Sequence, residues 1–140
     1  NGGIVMRKAF ICPTKYVQGE DEILNLGYFV KTFGESALLI AHPDDVNRVR
    51  GKLEKTAEKF KVCFVESNFR GQCSREEISR LKKLAQENRC KCTIGLGGGK
   101  AIDTAKCVAE GNNLIIVPTI AATDAPTSHS AVLYTEDGAI

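Results

Sequence analysis

Apolar positions along this chain fall into two alternating rhythms. Short continuous runs at Ala9–Cys12, Ala37–Ala41, Lys61–Val65, Cys92–Leu96 and Leu114–Pro118 read as buried strands, the first stopped by Pro13. Between them, apolar residues recur every three or four positions, the spacing of a one-sided helix. Asp21–Phe33 places Ile23, Leu24, Leu26, Phe29, Val30 and Phe33 in that pattern, with Gly34 set to end it. A second helix is expected to take Asp44 or Asp45 as its cap and to run to Lys59 across Gly51. Ser74-x-x-Glu77 is a capping box that opens a third helix through Ile78, Leu81, Leu84 and Ala85. A fourth starts after Gly97-Gly98-Gly99 and reaches Glu110.

Strands alternating with helices predict an α/β fold, a Rossmann-like parallel sheet with helices on both faces and right-handed crossovers. In such sheets a ligand sits beyond the carboxyl ends of the strands, where the strand order reverses. Two loops leave strands at that edge, Gly97–Lys100 and the segment from Thr119 onward. The 140 residues make one ordinary domain. Met6 reads as the natural start, with residues 1–5 as an added remnant and the domain incomplete at its C-terminal end. A net charge of +2 with scattered basic residues leaves no nucleic-acid footprint. No apolar run approaches the ~20 residues of a membrane span, and no signal-peptide core is present. The six cysteines are read as free thiols of a cytoplasmic protein. Cys90-x-Cys92 is too tight for a zinc pair and has no matching pair downstream.

The glycine run carries the clearest chemistry. Three glycines at a strand-to-helix junction let backbone come close to a ligand, and N–H groups at a helix start bind phosphate. The run matches neither the Walker A loop, because Ala101 follows Lys100, nor the G-x-G-x-x-G fingerprint, because Lys100 follows the glycines. The later loop, Pro118-Thr119-Ile120-Ala121-Ala122-Thr123-Asp124-Ala125-Pro126-Thr127-Ser128-His129-Ser130, sets small hydroxyl residues around one carboxylate. It reads either as a turn capped by Asp124 or as a polar wall facing a sugar, a phosphate or a hydroxylated substrate. Asp103 reads as a partner of the helix dipole. Arg48, Arg50, Lys52 and Lys106 read as solvated faces, and Asp44-Asp45 as a solvated cap rather than a metal site.

Gly97-Gly98-Gly99-Lys100-x-x-Asp103-Thr104-Ala105-Lys106, followed by Pro118-Thr119-x-Ala121-x-Thr123-Asp124-Ala125-Pro126-Thr127-Ser128, resembles the glycerol dehydrogenases of the iron-containing alcohol dehydrogenase and dehydroquinate synthase-like superfamily. Pro13–Gly19 and Val132–Gly138 resemble them too, so the likeness spans essentially the whole chain. The triglycine run is common to the superfamily, whereas the Thr-Asp-Ala-Pro-Thr-Ser run is narrower.

The resemblance implies the N-terminal part of a two-domain, homo-oligomeric enzyme that oxidises glycerol or a similar small diol with NAD. In that reading Gly97, Gly98, Gly99 and Lys100 hold the pyrophosphate, and Thr119 lies beside the adenine-ribose half. Asp124 contacts the substrate hydroxyls. Ser128 and Tyr134 line the nicotinamide side, and Ser130 stands where relatives carry an apolar residue whose backbone touches the cofactor. Ala122 replaces a serine common in the family. His42 stands where relatives usually carry an aspartate for the adenosine ribose, which leaves the choice between NAD and NADP open. A divalent metal, usually zinc, would be held by one Asp and two His of a helical second domain, so no catalytic or metal residue is expected within this chain. Alone, the 140 residues are expected to turn over nothing. A related NAD(P)-dependent diol or ketone oxidoreductase and a non-catalytic nucleotide-binding module are the alternatives, with a flavodoxin-like or receiver domain last.

Overall fold

Five strands, all parallel, are joined by helices in the computed structural model, which describes residues 14–119. The strands are β1 (Thr14–Tyr16), β2 (Ser36–Ile40), β3 (Cys63–Glu66), β4 (Cys92–Gly97) and β5 (Asn113–Pro118). They lie in the order β1-β5-β4-β2-β3. The helices are α1 (Leu26–Phe33), entered through a 3-10 helix at Glu20–Asn25, then α2 (Pro43–Phe60), α3 (Arg75–Glu87) and α4 (Gly99–Ala109). The expected strand Ala9–Cys12 lies outside the described residues. Past Pro13 the chain forms β1, with Thr14 opposite Leu114 and Tyr16 opposite Ile116 of β5.

The pleat sorts the apolar strand residues into two cores. Ala37, Leu39, Ala41, Ile94, Leu96, Ile115 and Val117 face Ile23, Leu26, Val30, Val46, Val49 and Leu53 of the 3-10 helix, α1 and α2. Leu38, Ile40, Leu114 and Ile116 face Leu81 of α3 and Ala101, Ile102, Ala105 and Val108 of α4. Helices therefore cover both faces. Continuous apolar strands are what a doubly covered parallel sheet requires, and each fully buried Leu or Ile contributes about 1.5–3 kcal/mol.

Local chemistry corrects three expectations. The apolar segment from Asp21 does not form one helix, because the turns before Leu26 tighten to 3-10 geometry. The break falls where α1 meets α2: the Gly27 N–H donates to Thr56 Oγ1 at 2.8 Å, and a Cβ on Gly27 would stand 2.6 Å from the Thr56 carbonyl. Second, neither Asp44 nor Asp45 caps α2. The cap is His42, whose Nδ1 accepts the Asp44 N–H at 3.1 Å, while both aspartates sit in the first turn and complement the dipole. The helix runs unbroken through Gly51. Third, Ser74 caps α3 through the Glu77 N–H, but the Glu77 side chain does not return to Ser74. It is buried and takes two bonds from Arg80 and one from the Arg70 N–H. Arg80 in turn donates to the Ser67 and Asn68 carbonyls, pinning the loop after β3. That pairing holds the Glu77 carboxyl below the ordinary carboxylate range and raises the Arg80 guanidinium.

Candidate functional site

From β2 the chain moves outward to β3, then returns across β2 to β4 and on to β5. The direction of winding reverses between β2 and β4, so the crevice of this sheet opens at their carboxyl ends. Ile40 of β2 stands opposite Gly95 of β4, which brings the residues just past both strands to one level. On one side these are His42 to Asp45, on the other Gly97 to Lys100.

Each glycine of the β4–α4 junction does a different job. Gly95 lets α4 lie directly on the sheet, since a Cβ there would meet Ala105 Cβ at 2.7 Å and Ile102 Cα at 3.2 Å. Gly97 has φ +128°, a region that favours glycine, and a Cβ on it would stand 2.8 Å from Asp45 Oδ2. Gly98 and Gly99 are the reverse case: neither has any atom within 4 Å of its missing Cβ, and both are exposed. Among the described residues nothing requires their bareness, which leaves a cradle over the start of α4.

That helix start is also uncapped. At the starts of the other α-helices, Thr56 takes an N–H of α1, His42 caps α2 and Ser74 caps α3. Gly98, the cap residue of α4, offers no side chain, so the first-turn N–H groups face the cradle unsatisfied by any cap. They carry the positive end of the helix dipole and suit an anion. Lys100 stands exposed in this first turn, and its carbonyl accepts the Thr104 hydroxyl at 2.7 Å. Asp103, expected to serve the dipole, lies beyond the first turn and is exposed.

Thr119 joins the same site. Its N–H donates to the Gly97 carbonyl at 3.2 Å, which fastens the loop leaving β5 to the glycine turn. Of the residues singled out in the sequence, the fold thus gathers Gly97, Gly98, Gly99, Lys100, Thr119 and His42 at one crevice. Asp124, Ser128, Ser130 and Tyr134 lie outside the described residues. Asp45, read from the sequence as a solvated cap, instead borders this site; its carboxylate abuts Gly97 and pairs with Arg48 at 2.7 Å. The basic residues of α2 are engaged rather than merely solvated: Arg50 grips Glu66 at 2.8 and 3.2 Å, and Lys52 reaches Asp21 at 3.5 Å.

Burial pushes the Cys90 thiol up to about 11 and the Cys92 thiol up to about 12. Among the described residues no three His, Cys, Asp or Glu groups are placed to hold a metal ion. None of the described helices is long and apolar enough to cross a membrane.

Comparison with known proteins gives the chain a family. The sequence profile of the family described as iron-containing alcohol dehydrogenase matches residues 13–140. A glycerol dehydrogenase of Escherichia coli is 38% identical over 128 residues, covering 90% of this chain and 35% of that protein. One from Thermotoga maritima is 42% identical over 131 residues, covering 91% of this chain and again 35% of the relative. The crystal structure of glycerol dehydrogenase from Schizosaccharomyces pombe superposes with a TM-score of 0.66 at 30% identity, over 79% of this chain and 28% of that one. The chain thus spans about a third of the length of the curated relatives it matches.

Proposed function

This chain belongs to the iron-containing alcohol dehydrogenase family, and on that premise we propose that it is the dinucleotide-binding part of an NAD-dependent glycerol dehydrogenase. The observation that carries the reading is the open cradle at Gly98 and Gly99 over the uncapped start of α4. Its polarity suits a pyrophosphate, whose oxygens would take the first-turn N–H groups and the Lys100 ammonium. Thr119, tied to Gly97, would border the nucleotide on the β5 side, and His42 on the β2 side.

Bound there, the dinucleotide would supply an acceptor for the hydride on the secondary carbon of glycerol, so that loss of the hydroxyl proton to solvent leaves dihydroxyacetone. The contribution of this chain is to bind and orient. The β4–α4 junction would hold the pyrophosphate at the start of α4. Asp124 would meet the glycerol hydroxyls, with Ser128, Ser130 and Tyr134 along the nicotinamide. Among the described residues no group of His, Cys, Asp and Glu is placed to hold a metal ion; a divalent ion such as zinc would be held outside them. The enzyme is read as cytoplasmic and homo-oligomeric.

The test is glycerol oxidation by the complete natural protein, followed through the absorbance of reduced nicotinamide. Glycerol-dependent reduction of NAD that Gly98→Val abolishes is the expected result. Turnover of glycerol 1-phosphate in place of glycerol, or of no small alcohol at all, would overturn the substrate assignment.

A further inference from the structure

The loop between β3 and α3 carries a thiol that the crevice does not use. Cys73 is exposed and sits one residue before Ser74, the cap of α3. Both flanks of its short loop are tied to one residue. The Arg70 N–H donates to the Glu77 carboxylate at 2.9 Å, and the Ser74 hydroxyl accepts the Glu77 N–H at 3.1 Å. Cys73 is thereby presented at a fixed place beside α4. The two helices pack together, with Leu81 of α3 in one apolar cluster with Ala105 and Val108 of α4. Lys82 of α3 also pairs with Glu110, which ends α4. Cys107, exposed and one turn after Asp103, lies on α4. Its thiol and that of Cys73 share a side-chain hydrogen bond, with Asp103 and Lys82 as the charged groups around them.

We propose that Cys73 and Cys107 form a redox-active dithiol, which a small-molecule disulfide oxidises to a reversible bond between the entry loop of α3 and α4. The inference is independent of the dinucleotide reading, since neither thiol belongs to the cradle.

The exchange runs in two steps. The Cys73 thiolate attacks one sulfur of the small disulfide, so that a mixed disulfide forms and one small thiolate leaves. The Cys107 thiolate then attacks the Cys73 sulfur and expels the second small thiolate. The two protons released by the protein thiols pass through solvent to the two leaving thiolates. Two protein thiols are thus oxidised and one small disulfide is reduced to two thiols. Cys73 is the entry point because it stands on the exposed loop. Burial on its packed side, then the neighbouring Cys73, raises the Cys107 thiol; Asp103 adds to the rise and Lys82 opposes it. Cys107 is therefore the poorer nucleophile toward a reagent in solution, but proximity makes it the resolving partner of a mixed disulfide on Cys73.

An S–S bond needs the two Cβ atoms about 3.5–4.5 Å apart. The loop has room for that approach at Gly71, where no atom lies within 4 Å of the missing Cβ. By closing the chain across α3 and β4, the bond constrains the unfolded state and adds stability to the oxidised form. A bond between two exposed residues is also of the readily reduced kind.

The experiment treats the complete natural protein, and its Cys73→Ser and Cys107→Ser variants, with oxidised glutathione, followed by peptide mapping without reductant. In the wild type, the peptides of Cys73 and Cys107 should be found joined and should separate on adding dithiothreitol. Cys107→Ser should instead keep glutathione on Cys73, and Cys73→Ser should give no joined peptide. The urea midpoint should rise on oxidation of the wild type and stay unmoved in both variants. Serine is close to cysteine in size, and unchanged thermal melting of the reduced variants verifies their fold; the wild-type map decides even where a variant does not fold. Glutathione persisting on wild-type Cys73 without a joined peptide would overturn the proposal. So would Cys73 joined to a different cysteine, or both thiols left unreacted.

Discussion

Replacing Gly97 and Gly98 in turn by alanine separates what the glycine run does for the fold from what it does for a ligand. At Gly97, alanine must adopt φ +128° and place its Cβ 2.8 Å from Asp45 Oδ2, on a carboxylate whose Oδ1 is paired with Arg48. Backbone strain of this kind costs about 1–3 kcal/mol, and displacing the Asp45–Arg48 pair brings the expected loss to about 2–4 kcal/mol. At Gly98 the backbone is extended, with φ −90° and ψ −166°, and no atom lies within 4 Å of the new methyl. Stability should hold or rise by up to about 1 kcal/mol, because alanine restricts the unfolded chain. The same methyl stands in the cradle, however, and should cost the pyrophosphate at least one charge-assisted bond. That is about 1.5–3 kcal/mol, or a 10- to 150-fold weaker complex. Urea unfolding of the complete protein with and without NADH reads both effects. With NADH at about a hundred times the wild-type dissociation constant, wild type should gain about 2.7 kcal/mol; a Gly98→Ala variant binding a hundredfold more weakly should gain only about 0.4 kcal/mol. A Gly98→Ala protein as unstable as Gly97→Ala, or one stabilised by NADH as fully as wild type, would refute the assignment of open space to a ligand.

Three further outcomes test the scaffold. Thr56→Val should cost about 1–3 kcal/mol in urea unfolding, because the Gly27 N–H loses its buried acceptor. Glu77→Gln should cost about 2–3 kcal/mol at neutral pH, where the Arg80-paired carboxylate is ionised. Because that carboxyl is held below its usual value of 4.5, the contribution is complete above about that pH and is lost as pH falls through the lower folded value. The gap between wild type and variant should therefore close on acidification, and a gap independent of pH would count against the pairing. Alkylation of the native protein at pH ~8 should mark the exposed Cys63 and Cys73 while sparing Cys90 and Cys92, as peptide mass analysis would show.

Much of this architecture is legible in the chain, and the limits are physical. The runs Ala37–Ala41, Cys92–Leu96 and Leu114–Pro118 are apolar on both pleat faces, so β2, β4 and β5 fall within a residue or two of their expected bounds. The glycine turn was readable because bare backbone before a helix has few other uses, and the meeting of its edge with Thr119 followed from the parallel sheet. β1 is different. Thr14-Lys15-Tyr16 has no apolar run and becomes a strand only by pairing with β5. The tightening of the chain before Leu26 depends on Thr56, 29 positions downstream of Gly27, which local periodicity does not register. His42 caps α2 although histidine is seldom chosen for that place. Glu77 matches the capping-box pattern, yet Arg80, one turn further, offers its side chain a stronger partner than the Ser74 backbone.

The place of β1 at the rim of the sheet also sets an order of events during synthesis. Thr14 finds its neighbour at Leu114, so the first of the described strands to leave the ribosome pairs, within the described sheet, only with the last one. At ordinary elongation speeds of about 5–20 residues per second, it waits roughly 5–20 seconds for that partner. Meanwhile β2, β3 and β4 can assemble among themselves, since their pairings span shorter separations. The nascent protein thus passes through a stage in which a three-stranded centre exists while the strand that will close one border is idle. A translation pause between β4 and β5 would prolong that stage and leave the β4 edge open to other chains.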